Sequence, residues 1–195
     1  MPTFFIGNCY KVRQDHNSNA DLKNVGNSLL KDLIQQLKDV ENADLWIDEN
    51  FEKKLSLVDA NSVFERPIPD LHSVAEILSH LIEWRKEVLS RLKGNPRGLE
   101  MSDAANWRSN EYLKVQGWTK LSEDFFKSQR NLISFLEEKD DQYLYHAYPF
   151  ADPSFRYNYQ YLVVGLIHHD FYHLGQIGIT IKFLKKNSRI LSKNQ

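Results

Sequence analysis

His169 and His173 are four residues apart in a strongly apolar stretch, Gly165–Lys182. On an α-helix this spacing puts both imidazoles on one face, a turn apart. They share that face with Leu162, Leu166, Gln176, Thr180 and Leu184, so the pair should lie in line with residues that face a core. Two readings are open. A buried neutral imidazole can simply hydrogen-bond and pack. Alternatively, the pair supplies two ligands to a divalent metal, neutral imidazole being the commonest protein ligand for zinc, nickel, iron or copper. A third histidine on another helix favours the metal.

His80 can fill that role. It borders the apolar stripe of a second helix, beside Ile77 and Trp84. Helical bundles build metal sites from side chains on facing helices, so His80 could meet His169 and His173 across a core. Three protein ligands plus an open position is the arrangement of catalytic zinc, whereas structural zinc is closed by four ligands. With Cys9 as the one cysteine, a closed cysteine site is excluded. Zinc leads, and nickel or iron also suit three histidines.

The remaining histidines are weaker candidates. His168 points away from the pair, His146 falls in a connection from which it could approach, His72 lies just outside a helix start, and His16 sits in a polar stretch. Metal-bound imidazoles usually donate their second N–H to an acceptor, and Gln176, Asp170 and Glu83 are the polar groups nearby. Gln176 is best placed, because it shares the stripe with the pair; otherwise it packs or bonds a backbone carbonyl elsewhere.

The elements that would position these residues follow from apolar periodicity. Leu29, Leu30, Leu33, Ile34, Leu37 and Val40 predict a first helix from about Asp21 to Val40. Residues 50–57 could form a short helix, and Arg66-Pro67-Ile68-Pro69-Asp70 stops any helix. The second long helix opens with a capping box, Ser73-Val74-Ala75-Glu76, and ends at Gly94-Asn95-Pro96. Capping is the preferred reading of Glu76. Arg85 falls inside the apolar stripe, which calls for a snorkelling side chain or an ion pair. After a long connection, a third helix spans about Thr119 to Glu138. Another connection, Lys139–Asn158, leads to the fourth helix, Tyr159–Lys186, which Asn187-Ser188 should end. The fourth helix is apolar almost all round and should be the most buried. Its Gly165, Gly175 and Gly178 suggest close approach by a helix or ligand. The predicted fold is all-α: a four-helix bundle with long crossover connections.

Composition sets the outer bounds. The chain has 195 residues, 42% of them hydrophobic, enough for one domain with a substantial core. A net charge of −1 without a basic stripe argues against nucleic acid. No apolar run is long enough for a membrane span, and Met1–Gly7 does not read as a signal peptide. With one cysteine, a cytoplasmic setting is expected.

The segment Arg66-Pro67-Ile68-Pro69-Asp70-Leu71-His72-Ser73-Val74-Ala75-Glu76-Ile77-Leu78-Ser79-His80-Leu81-Ile82-Glu83-Trp84-Arg85, followed by His169-Asp170-Phe171-Tyr172-His173-Leu174-Gly175-Gln176-Ile177, resembles the DinB-like (DinB/YfiT) family. The likeness runs from about Leu29 to Lys186. It divides the chain into an unassigned extension, residues 1–25, and a DinB-like bundle, residues 26–190. It implies a bundle of unusual connectivity, often a homodimer, with a divalent metal on three histidines that map to His80, His169 and His173. Some members of the family resemble thiol S-transferases or isomerases that use low-molecular-weight thiols. The resemblance therefore suggests a metal-dependent transferase or hydrolase acting on a small molecule. The alternative is a non-catalytic metal-binding bundle with a structural or stress-related role. An open cavity reaching the histidines goes with the first reading, and enclosure of the metal by packed side chains with the second.

Overall fold

A computed structural model describes residues 27–151 and 157–193, with side chains as far as 188. Among the described residues seven helices follow one another: α1 (Ser28–Asn42), α2 (Phe51–Leu55), α3 (Val74–Leu92), α4 (Asn110–Gln116), α5 (Trp118–Glu137), α6 (Asp141–Tyr145) and α7 (Tyr159–Lys193). Among the described residues there is no strand, only an isolated bridge between Ala147 and Asn158. The fold is all-α. The long helices α1, α3, α5 and α7 touch in a closed ring, with α3 and α1 each packed on both α5 and α7.

Local chemistry explains where the helices begin and end. At α3 the capping box is complete: Ser73 Oγ accepts from the Glu76 N–H, and the Glu76 carboxylate accepts from the Ser73 N–H at 2.8 Å. Gly94 leaves that helix with φ +82°, a conformation that suits glycine. The start of α1 is capped from a distance. Asp141 accepts from the N–H groups of Leu29 and Leu30 at 3.2 and 2.8 Å, which ties α6 to α1.

Several sequence expectations are corrected. The described part of the first helix begins at Ser28, and Asp21–Gly26 lies outside the described residues. Two of the connections contain short helices, α4 and α6, capped by Ser109 and Asp140. The fourth long helix does not stop at Asn187-Ser188 but continues to Lys193. Asn187 there donates to Pro67 O across the fold, and Ser188 bonds back to Leu184 O, so neither side chain competes for the helix's own backbone. Burial is also distributed differently: α3 is the most enclosed helix, with 14 of its 19 residues buried. On α7, Tyr161, Tyr172, Ile179 and Phe183 are exposed, because this helix has one side on the core and one on solvent.

Two apolar clusters make up the core. One joins α1, the C-terminal parts of α3 and α5, and the start of α7; the other joins α2, the N-terminal parts of α3 and α5, and the middle of α7. At the level between them, Arg85 of α3 bonds Asp170 of α7 at 2.9 Å, both side chains 0% exposed. The Arg85 guanidinium also donates to Phe125 O and lies 4.1 Å from the centre of the Phe125 ring. The ion pair, not snorkelling, accounts for an arginine in an apolar stripe. The start of α3 packs with Leu174, Ile177 and Ile181 and its end with Leu162, Val163 and Leu166, so α3 and α7 run antiparallel.

Candidate metal centre

His80, His169 and His173 converge. The Nε2 atom of His169 lies 3.0 Å from Nε2 of His80 and 3.1 Å from Nε2 of His173. All three offer a ligand atom within 4.8 Å of the others. His80 and His173 are buried, and His169 is half-buried.

Hydrogen bonds fix the tautomers of two rings. His80 Nδ1 lies 2.9 Å from the backbone oxygen of Asn106, which can only accept, so Nδ1 carries the proton. His173 Nδ1 donates likewise to Gln176 Oε1 at 2.6 Å. Both Nε2 atoms are left with lone pairs aimed at the same point as His169. Burial, reinforced by the charges that His173, His80 and Arg85 would place nearby, pushes His169 down to about 3. Burial likewise lowers His173 to about 4, with His80 adding to the effect and the Gln176 bond opposing it. His80 is lowered for the same first reason. At neutral pH all three rings are therefore uncharged, the form that ligates metal.

The surroundings hold these rings in place. Trp107 stacks on His80 at 3.9 Å and 9°, and on His72 at 3.7 Å and 4°. Asn106, 1% exposed, accepts from Trp84 Nε1 at 2.9 Å and donates to Met101 O at 2.9 Å. The connection between α3 and α4 thus presents the backbone oxygen that orients His80. Thr180 Oγ1 donates to His72 O, pinning the approach to α3 onto α7.

Among the three acceptor candidates, the structure brings Gln176 to a histidine and directs the other two elsewhere. Asp170 follows His169 directly, so it projects about 100° around the helix, into the core and onto Arg85. Glu83 pairs with Lys86 at 2.9 Å and lies 3.8 Å from Arg108. His168 and His146 are exposed. Asn106 and Trp107 are additions that sequence periodicity could not supply, since the folded connection between α3 and α4 delivers them, and His72 joins them from the segment before α3. The tryptophans at 84 and 107 were the visible signal.

The histidines line one part of a cavity of about 580 Å³ between α3 and α7. Trp84, Trp107, Val88, Leu162 and Leu166 contribute its walls, and the exposed Met101, Tyr161 and Tyr172 stand at its rim. Gly165 also lines it, and a Cβ built there would meet nothing within 4 Å. That glycine therefore leaves room in the cavity and does not admit a neighbouring helix.

The donor set fits a divalent cation. Ligands about 2.0–2.1 Å from a tetrahedral zinc stand about 3.3 Å apart, close to the observed nitrogen separations. The Nδ1 atom of His169 is buried without a partner, so Nε2 of that ring is the one nitrogen with company. His80 and His173 thus turn lone pairs towards His169 Nε2, a set of nitrogens that a divalent cation would complete.

A family model described as the DinB superfamily matches residues 46–177, a span that includes all three histidines and Gln176. No curated protein and no solved structure matches the chain.

Proposed function

The chain belongs to the DinB superfamily, and from that premise we propose that it is a metal-dependent enzyme of the thiol S-transferase type acting on a small molecule. The observation that carries this reading is the placement of three neutral histidines, Nε2 atoms converging, on the wall of a cavity whose rim is exposed. A structural ion would be enclosed by packed side chains. In this proposal His80, His169 and His173 hold the metal, with zinc first and nickel or iron as alternatives. The metal when bound supplies Lewis acidity, which lowers the pKa of a thiol or water that ligates it.

The chain's own residues do the rest. Asn106 O and Gln176 hold the Nδ1 protons of His80 and His173, which fixes both ring orientations. Trp84, Trp107 and the aliphatic walls give an apolar substrate body a surface to pack on. In the transfer, the thiol sulfur bonds to an electrophilic carbon, the carbon's leaving group departs with the bonding electrons, and the thiol proton goes to bulk water. A hydrolase would use the same site with water as the nucleophile.

The test is a screen of low-molecular-weight thiols against 1-chloro-2,4-dinitrobenzene and alkyl halides, using zinc-loaded, nickel-loaded, iron-loaded and chelated protein. The expected result is thiol transfer above the uncatalysed rate in one metal-loaded form, lost in His173→Ala while the helical signal is kept. No turnover in any form, together with loss of the helical signal on chelation, would overturn the proposal in favour of a structural metal.

A further inference from the structure

The other end of the same cavity contains a second polar feature. Arg91 of α3 lines it and is 7% exposed. The Nε atom of Arg91 donates to Glu87 Oε1 at 2.7 Å, and Glu87 is itself held by the Gly98 N–H at 3.1 Å. The rest of the guanidinium is poorly satisfied. Among the described residues its Nη1 reaches only Tyr157 Oη, at 3.5 Å, and its buried Nη2 has no partner. Buried guanidinium N–H groups without acceptors are costly, and an acceptor arriving with a ligand relieves that cost.

Position and charge narrow the ligand. Arg91 stands eleven residues beyond His80 on one helix, about 16 Å of rise, so it and the histidines mark opposite ends of the cavity. Between them the wall is apolar and aromatic: Trp84, Val88, Leu162 and Leu166. The free edge of a guanidinium matches a planar pair of acceptor oxygens, as in a carboxylate. Glu87 already offsets the charge of Arg91, and its carboxylate would repel a dianion such as phosphate more strongly than a monoanion.

We infer that Arg91 docks a carboxylate at the far end of an apolar or aromatic substrate whose reacting end lies at the histidines. This rests on reading the cavity as a substrate site, and it adds the substrate class: an arylalkyl or alkyl carboxylic acid. Arg91 is a binding residue in this scheme and takes no part in the transfer.

Calorimetric titration with 4-phenylbutyrate and with 4-phenyl-1-butanol tests it, since the two probes share a body and differ in the head group. The wild-type protein should bind the acid about tenfold more tightly than the alcohol. In Arg91→Met combined with Glu87→Gln, which leaves no buried carboxylate unpaired, the preference should shrink to about twofold or less, with the helical signal unchanged. Arg91→Lys keeps a cation for Glu87 but loses the fork, and should lose most of the preference as well. It serves as the second variant if the double one does not fold.

Both titrations are repeated after chelation and in His173→Ala, because a bound metal could itself take the carboxylate. A preference that survives there and disappears with Arg91 supports the inference even if no transfer activity is found. A preference that vanishes on chelation and survives in the Arg91 variants overturns it, as does equal binding of acid and alcohol by the wild type.

Discussion

Helices α3 and α7 build two buried polar clusters within a few residues of each other, and the two are completed differently. Arg85 and Asp170 carry opposite charges, meet at 2.9 Å and are covered by the Phe125 and Phe51 rings. Folding alone satisfies their main interaction. His80 and His173 bring lone pairs to their meeting point with His169 Nε2, because their second nitrogens already engage Asn106 and Gln176. Folding brings these rings together without an opposite charge among them, and in the proposed function a divalent cation supplies it. His169 and Asp170 are neighbours in the chain, yet one turns to the cavity and the other to the closed core. A single helical step separates a group that fastens the bundle from a group that is available for chemistry.

The largest effect is expected from breaking the closed cluster. Asp170→Ala leaves a buried guanidinium unpaired and should cost about 3–5 kcal/mol of stability in urea unfolding of the metal-free protein. Arg85→Met combined with Asp170→Leu should recover most of that loss. A cost below about 1 kcal/mol for Asp170→Ala would mean that the pair does not fasten the core. His173→Ala in the metal-free protein should cost much less, about 1 kcal/mol, since it removes a neutral ring from a cavity wall.

Loosening the open cluster should act on metal and leave the fold alone. Gln176→Leu removes the acceptor of the His173 Nδ1 proton. Metal affinity should fall about 10–100-fold, measured by competition with a chelating dye, while the melting curve of the metal-free protein stays in place. Unchanged affinity would reduce Gln176 to a packing role.

A further effect is a matter of pH. In the folded chain His169 titrates at about 3 and His173 at about 4, both below the ordinary 6.5. As pH falls below 6.5 the unfolded chain takes up protons that the folded one refuses, so stability present above that value is lost on the way down. Glu76 is also depressed, to about 2 from 4.5. Burial, which would raise it, is outweighed by bonds from His72, Arg66 and the Ser73 backbone. Its contribution is intact above 4.5 and is lost only as pH falls from there towards 2. Thermal melts of the metal-free protein between pH 7 and 5 therefore avoid Glu76, and comparison with a variant lacking the rings cancels Glu41 and Asp170, whose carboxyls burial raises. The wild type should lose melting temperature over that range, and a His169→Gln, His173→Gln double variant should lose less. Parallel slopes would show that the rings are not held neutral by burial.

Much of this was legible in the sequence wherever helical periodicity carried the information. The four long helices follow from their apolar stripes, and the alignment of His169, His173 and Gln176 follows from spacings of four and three. The convergence with His80 needed only that two helices face each other. Periodicity could not reveal what irregular segments deliver. The backbone oxygen of Asn106 and the ring of Trp107 reach His80 through the fold of residues 93–109. The side chains of Asn187 and Ser188 look like a helix stop, and only their tertiary partners show why α7 continues. Asp170 and Glu83 are near the histidines in sequence, but Arg85 on the facing helix claims the one and Lys86, one turn along the same helix, the other. Counting apolar residues also overstated the burial of α7, because exposed Tyr172 and Ile179 look the same in a composition as core residues.

The central claim is that the three-histidine cluster is completed by one divalent cation. It is tested most directly by zinc titration of chelated protein, prepared without a nickel column and followed by calorimetry and elemental analysis. The expected result is one tightly held zinc per chain in the wild type, and loss of that site in each of His80→Ala, His169→Ala and His173→Ala while the helical signal is retained. No stoichiometric uptake by the wild type, or equal uptake by all three variants, would contradict it.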